Sequence, residues 1–161
     1  MRSIKHIALG AILTLSAFCA VLYTSCSKDA CKGVTCSNGG TCTGGNCACP
    51  TGYEGTSCQT LSRDKFVGTY IGTEICNVGT DNYSITLASN SNALELTYTN
   101  LYNQGFTATC TMAATDSFTF AGSQSGATFS GSGRLATNTI TVHYTIVNAT
   151  LSNSCVFTGT K

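Results

Sequence analysis

The chain has 161 residues, of which only 9% are charged, and a formal net charge of +1 at neutral pH. Without a basic run or a stripe of alternating basic and aromatic residues it lacks the electrostatic footprint of a nucleic-acid binder, so no nucleic acid is expected as a partner. Eleven cysteines point instead to an oxidising compartment, where thiols are stored as disulfides.

Arg2 and Lys5 precede an uncharged apolar run over residues 7–23, the layout of a secretory signal. The run lies at the bottom of the range needed to span a bilayer and has no flanking stop signal. Thr24-Ser25-Cys26, closely following Leu22, resembles a bacterial lipoprotein signal. That resemblance implies removal of residues 1–25, Cys19 among them, and acylation of Cys26, with palmitate-type chains holding the protein on a membrane. Each buried methylene of such a chain contributes about 0.8 kcal/mol. Loss of Arg2 and Lys5 would leave six basic against seven acidic residues, a net charge of −1. Residues 26–30 then form a short polar tether.

Residues 31–58 hold six cysteines: Cys31, Cys36, Cys42, Cys47, Cys49 and Cys58. So short a segment has too little apolar area to offset its ordering entropy, and cross-links must restrict the unfolded chain instead. Spacing alone leaves the connectivity open. A zinc site would favour Cys-x-x-Cys pairs or a nearby His, and the run has neither, so no metal is expected. The Asn38-Gly39-Gly40-Thr41 turn and the stretch Cys47-x-Cys49-x-x-Gly52-Tyr53-x-Gly55 resemble an epidermal growth factor (EGF)-like module. The resemblance implies the bridges Cys31–Cys42, Cys36–Cys47 and Cys49–Cys58, with Gly39, Gly40 and Gly52 at positive φ. It implies a module without calcium, because only Asp29 precedes Cys31 and Thr43-Gly44-Gly45 follow Cys42.

Residues 59–65 read as a charged linker, and a cysteine-poor, Thr- and Ser-rich domain begins near Phe66 and runs to residue 161. Apolar residues alternate with polar ones almost throughout, the signature of half-buried strands. Strands are expected over 66–76, 83–87, 94–98, 106–112, 118–120, 127–135 and 140–146, and from Cys155 onward, with turns at 77–81 and 90–92. Gly131 and Gly133 suit a bulge or a sharp curve. In the first strand Val67, Ile71 and Ile75 share one face and Phe66 and Tyr70 the other, as if both were covered near its start. The expected fold is therefore a small disulfide-rich module followed by an all-β domain. That domain should be an antiparallel up-and-down meander closed as an eight-stranded barrel, because closure removes exposed sheet edges; a β-sandwich is the alternative.

Three cysteines lie in this domain. In a closed meander the first and last strands are neighbours, so Cys76–Cys155 is the expected bridge and Cys110, on a face with Phe106 and Met112, a buried free thiol. Catalytic chemistry has few candidates. His143 alternates with inward-facing residues and reads as solvent-facing; Asp81 and Asp116 fall in turns; Glu74 and Glu95 lie on strands, and their spacing does not make them face each other. No catalytic residue and no cofactor-binding residue is assigned, and no enzyme activity is expected. Asn82-Tyr83-Ser84 and Asn148-Ala149-Thr150 match the glycosylation acceptor pattern but read as ordinary turn residues.

Gly68-Thr69-Tyr70 is similar to the opening of a lipocalin, and the whole layout resembles small outer-membrane lipoproteins of Bacteroidetes-type bacteria. The resemblance implies a lipid-anchored protein of the bacterial cell envelope, on the outer membrane and facing the periplasm or the cell surface. The expected function is a non-enzymatic interaction or structural module toward a protein or glycan partner. The alternative it implies is a small hydrophobic-ligand carrier of lipocalin-like type.

Overall fold

The computed structural model describes residues 29–161, so the signal sequence and Cys26 lie outside the described residues. Strands β1 (Thr41–Thr43) and β2 (Asn46–Ala48) form a hairpin in the disulfide-rich segment, and β3 (Tyr53–Glu54) pairs with β4 (Thr60–Leu61). Cys31 is bonded to Cys42, Cys36 to Cys47 and Cys49 to Cys58. Gly39 and Gly52 take φ of +78° and +88°. Gly40 does not take positive φ. Its hydrogen side chain is needed for space instead, because a Cβ there would stand 2.7 Å from the Cys58 sulfur.

The expected linker is built into structure: β4 extends the disulfide-rich segment, and a 3-10 helix over Ser62–Phe66 leads into the sheet. Eight antiparallel strands follow: β5 (Gly68–Cys76), β6 (Gly79–Ser89), β7 (Glu95–Leu101), β8 (Phe106–Ala114), β9 (Ser117–Gln124), β10 (Ala127–Ala136), β11 (Thr139–Val147) and β12 (Ser152–Thr160). Each pairs with its sequence neighbour, and β12 closes on β5 to complete a barrel. Period-two alternation sends Tyr70, Ile85, Leu87, Leu96, Tyr98, Phe118, Ile140, Val142 and Phe157 inward, all fully buried. The outward positions are mostly Thr and Ser, among them Thr107, Thr109 and Thr111 on β8 and Thr128, Ser130 and Ser132 on β10. A barrel that spans a membrane carries an apolar band outside and polar groups inside; this wall has the reverse polarity.

Three local features differ from the sequence expectation. The first turn is only Asn77–Val78, and Gly79, Thr80 and Asp81 extend β6. Strand β5 is covered on one face only, with Ile71 and Ile75 73% and 62% exposed on the outer wall. Gly131 and Gly133 make neither bulge nor break, since β10 pairs in unbroken register with β9 and β11. They face inward and leave room for aromatic rings: a Cβ at Gly133 would fall 2.1 Å from the Phe118 ring, and one at Gly131 2.9 Å from Phe120. The register shifts occur instead between Thr99 and Leu101 and between Met112 and Ala114.

The closing seam depends on a second close approach. Gly72 lies opposite Gly159, and a Cβ on Gly72 would sit 2.1 Å from the Thr158 carbonyl oxygen, a backbone atom that cannot rotate away. Gly72→Ala is expected to force β5 and β12 apart and lower stability by about 1–3 kcal/mol. Gly79→Ala, where a Cβ meets nothing within 4 Å, should change it by less than about 0.5 kcal/mol. Urea denaturation of the two variants checks the contrast, and equal effects would refute a tight seam.

Candidate functional site at the free mouth of the barrel

The two ends of the barrel differ. The turns after β6, β8 and β10 lie at the end where the chain enters, and this end is closed by the disulfide-rich segment and the 3-10 helix. Arg63, its side chain 11% exposed, donates from Nη1 to the carbonyl oxygens of Asn90 (2.7 Å), Glu95 (3.1 Å) and Asn92. Lys65 pairs with Glu54 at 2.7 Å, and Lys161 donates to the carbonyls of Lys65 and Val67 at 2.6 and 2.9 Å. Phe66 plugs the interior, its ring 5.6 Å from that of Phe118. Gly52 approaches Leu94 so closely that a Cβ would lie 2.0 Å from the leucine methyl.

The opposite end, where β5, β7, β9 and β11 finish, is the free mouth. Just inside it lies a polar cluster. Glu74 is inward and 1% exposed, and its Oε1 accepts hydrogen bonds from the hydroxyls of Tyr83, at 2.5 Å, and Tyr144. Strand β6 supplies Tyr83 and β11 supplies Tyr144, so the carboxyl ties three strands together. Tyr102, in the turn after β7, packs its ring at 86° to that of Tyr144 with centroids 6.5 Å apart. The Tyr102 hydroxyl accepts from Asn153 Nδ2 at 3.0 Å. Asn153 is fully buried and its Oδ1 has no partner, nor does the hydroxyl of buried Tyr98. Burial and the adjoining Glu74 carboxylate push the Tyr83 and Tyr144 hydroxyls far above the ordinary tyrosine range, and burial does the same for Tyr98. None of these phenols can serve as a base near neutral pH.

The residues singled out in the sequence do not converge. Glu74 is inside the barrel. Glu95 lies at the capped end, where its carboxylate accepts from Asn92 at 3.0 Å, and His143 is exposed on the outer wall opposite Ser132. Asp116 pairs with Arg134 at 2.8 Å. Asp81 is opposite Glu74 in the β5–β6 register, on the same side of the sheet as Tyr83, and exposed at the mouth. Glu74 lies close to the sulfurs of Cys76 and Cys155, but these are joined in a disulfide that staples β5 to β12, so no thiolate is left to ligate a metal. Cys110 is buried and unbonded. The cluster was hidden from sequence reading because its members lie on β5, β6, β11 and β12 and the turn after β7; the one local signal was a carboxylate in a strand of apolar residues. Three hollows lie on the outer wall, the largest of them about 570 Å³ beside Ile75, His143 and Val156, and interior rings pack over the strand between them, Tyr83 with Phe157 at 5.2 Å over β5 and Tyr98 with Phe120 at 5.7 Å over β8.

Tyr144→Phe removes a donor from a buried carboxyl and is expected to cost about 1–3 kcal/mol, whereas Tyr98→Phe deletes an unpaired hydroxyl and should be neutral or stabilising. Chemical denaturation of the pair decides, and a larger loss for Tyr98→Phe would contradict the hydrogen-bond assignment. Burial also raises the Cys110 thiol from its ordinary value of 9.0 to about 12, and Tyr70 from 10.0 to about 12. A folded state that holds protons the unfolded chain releases loses stability as pH rises, so stability should be flat below pH 9 and fall between 9 and about 12. Urea midpoints across that range measure the slope; a midpoint that stays level between pH 9 and about 12 would show that burial does not raise these groups.

No protein-family model matches the chain, and no curated protein matches it. Among solved structures, it is similar to a candidate outer membrane protein of Bacteroides fragilis, with a TM-score of 0.43 and 16% identity. The match covers 62% of this chain and 52% of that protein, about half of its length.

Proposed function

We propose that the protein is a non-enzymatic display module of the bacterial cell envelope, held on the outer membrane by acyl chains on Cys26. In this reading the disulfide-rich segment is an EGF-like spacer and the barrel a head that offers its free mouth to a partner. The observation that carries the reading is the seating of the segment on one end of the barrel through Arg63, Lys65 and Lys161. An anchor preceding Cys31 then joins the capped end, and the other end is left open for contact. Four disulfides support an extracytoplasmic site. The Thr- and Ser-rich outer wall supports attachment by lipid over spanning by strands. An interior filled by fully buried Tyr70, Tyr98, Phe118 and Phe157, among others, favours a contact role over a carrier of large hydrophobic ligands, which needs a hollow barrel.

The intact mass of protein purified from its native membrane tests the anchor. A mass that begins at Cys26 and carries acyl chains is the expected result. An unlipidated mass would overturn membrane attachment by this route.

A further inference from the structure

Two segments match the acceptor pattern Asn-x-Ser/Thr, and the barrel treats them differently. Asn82-Tyr83-Ser84 lies within β6, in a strand and not in a turn. Asn82 is opposite Thr73 on β5, whose hydroxyl donates to its Oδ1 at 2.7 Å, and Tyr83 is buried with its hydroxyl on Glu74. Residues two apart in a strand stand about 6.6 Å from each other, so the Ser84 hydroxyl does not reach the Asn82 amide. Asn148-Ala149-Thr150 is folded otherwise. It lies in the turn between β11 and β12 at the free mouth, and all three residues are exposed. The backbone N–H of Asn148 donates to the Leu151 carbonyl at 2.8 Å and holds the turn shut. Three donors converge on the side-chain oxygen of Asn148: the N–H of Leu151 at 2.9 Å, the N–H of Thr150 at 3.0 Å and the Thr150 hydroxyl at 3.2 Å. Its Nδ2 makes no hydrogen bond among the described residues. Asn commonly bonds backbone amides in turns, but the turn itself does not need the bond from the Thr150 hydroxyl.

We propose that Asn148 is the attachment site of an N-linked glycan. A carboxamide nitrogen is a weak nucleophile, because its lone pair is shared with the carbonyl. As the nitrogen gives up a proton, negative charge gathers on the amide oxygen, and donors already fixed around that oxygen lower the cost. Asn148 Oδ1 has three such donors, one of them the hydroxyl that the acceptor pattern requires, while Nδ2 is left free to react. The co-substrate is a sugar carried as a phosphate or pyrophosphate ester, brought by a transferase of the same compartment. Nδ2 forms a bond to the anomeric carbon, and the bond from that carbon to the phosphate oxygen breaks. The phosphate leaves with the electron pair, and the amide proton passes to a base of the transferase. Four disulfides favour an exported chain, in which exposed acceptors of this pattern are open to glycosylation. The turn is at the end of the barrel away from the disulfide-rich segment, so a bulky sugar there is clear of the capped end.

The inference rests only on the extracytoplasmic reading, and it fails separately, because lipid is weighed on the N-terminal peptide and sugar on the C-terminal one. The test is peptide mapping by mass spectrometry of the full protein from its native membrane, reduced and cut with trypsin. Cleavage after Lys65 and Arg134 puts Asn82 on residues 66–134 and Asn148 on residues 135–161. A form of 135–161 bearing hexose or N-acetylhexosamine is expected, with fragmentation placing the sugar on Asn148, and 66–134 should carry none on Asn82. Thr150→Ala should lose the sugar and keep the melting midpoint, because Thr150 is exposed. Thr150→Ser retains the hydroxyl and should retain the sugar. An unmodified 135–161, a sugar on a hydroxyl of that peptide instead of Asn148, modification of Asn82 in its place, or undiminished sugar in Thr150→Ala would overturn the proposal.

Discussion

The structure depends on the closure of β12 onto β5. Seven strand pairs form between sequence neighbours, each joined by a short turn, but the eighth joins residues about 80 positions apart and must overcome the corresponding loop entropy. Two devices act at that seam. The Gly72 and Gly159 pair lets the backbones come together, and the Cys76–Cys155 bridge, with a sequence separation of 79, removes loop-closure entropy from the unfolded chain. For a loop of that length the chain-entropy model gives about 4.5 kcal/mol. The glycines act in the folded state and the disulfide in the unfolded one, so their effects are independent.

Closure makes the two ends unequal. At the entry end Arg63 gathers the carbonyls of Asn90, Asn92 and Glu95 with one nitrogen. A guanidinium can do this because its donors are fixed in direction and its charge strengthens each bond. The disulfide-rich segment has almost no core of its own. Cys58 is its one fully buried hydrophobic residue. Its order therefore comes from its bridges and from the barrel end on which β4 and the 3-10 helix rest.

The eight-stranded barrel was legible in sequence because its strands are half-buried and alternate cleanly: Ile140, Val142, Tyr144 and Ile146 all face inward, as do Ala108, Cys110 and Met112. Reading failed where a residue's side is decided by distant partners. On β5 the aliphatic residues Ile71 and Ile75 face solvent and the carboxylate Glu74 is buried, the reverse of hydropathy. That inversion is stable only because hydroxyls 9 and 70 positions away in sequence reach Glu74, and no local pattern records them. Gly131 and Gly133 were misread for the same reason. Their small size answers neighbouring strands, the Phe118 ring at Gly133 and the His143 carbonyl and Phe120 ring at Gly131, not a demand of their own backbone.

The placement of Glu74 also bears on function. Replacing a buried polar cluster by well-packed apolar side chains of similar volume is often neutral or stabilising, so stability alone does not call for a carboxyl here. Two phenol donors lessen the cost of burying it without supplying a counter-charge, and the unpaired oxygen of buried Asn153, nearer the mouth on β12, adds a second cost. The interior toward the capped end carries no carboxyl: Leu87, Leu96, Phe118, Ile140 and Val142 fill it without a charge. Unpartnered buried polar atoms occur elsewhere too, at the Tyr98 hydroxyl, Ser62 Oγ and Arg63 Nε, so what sets the free end apart is a buried carboxyl held by side chains from two other strands.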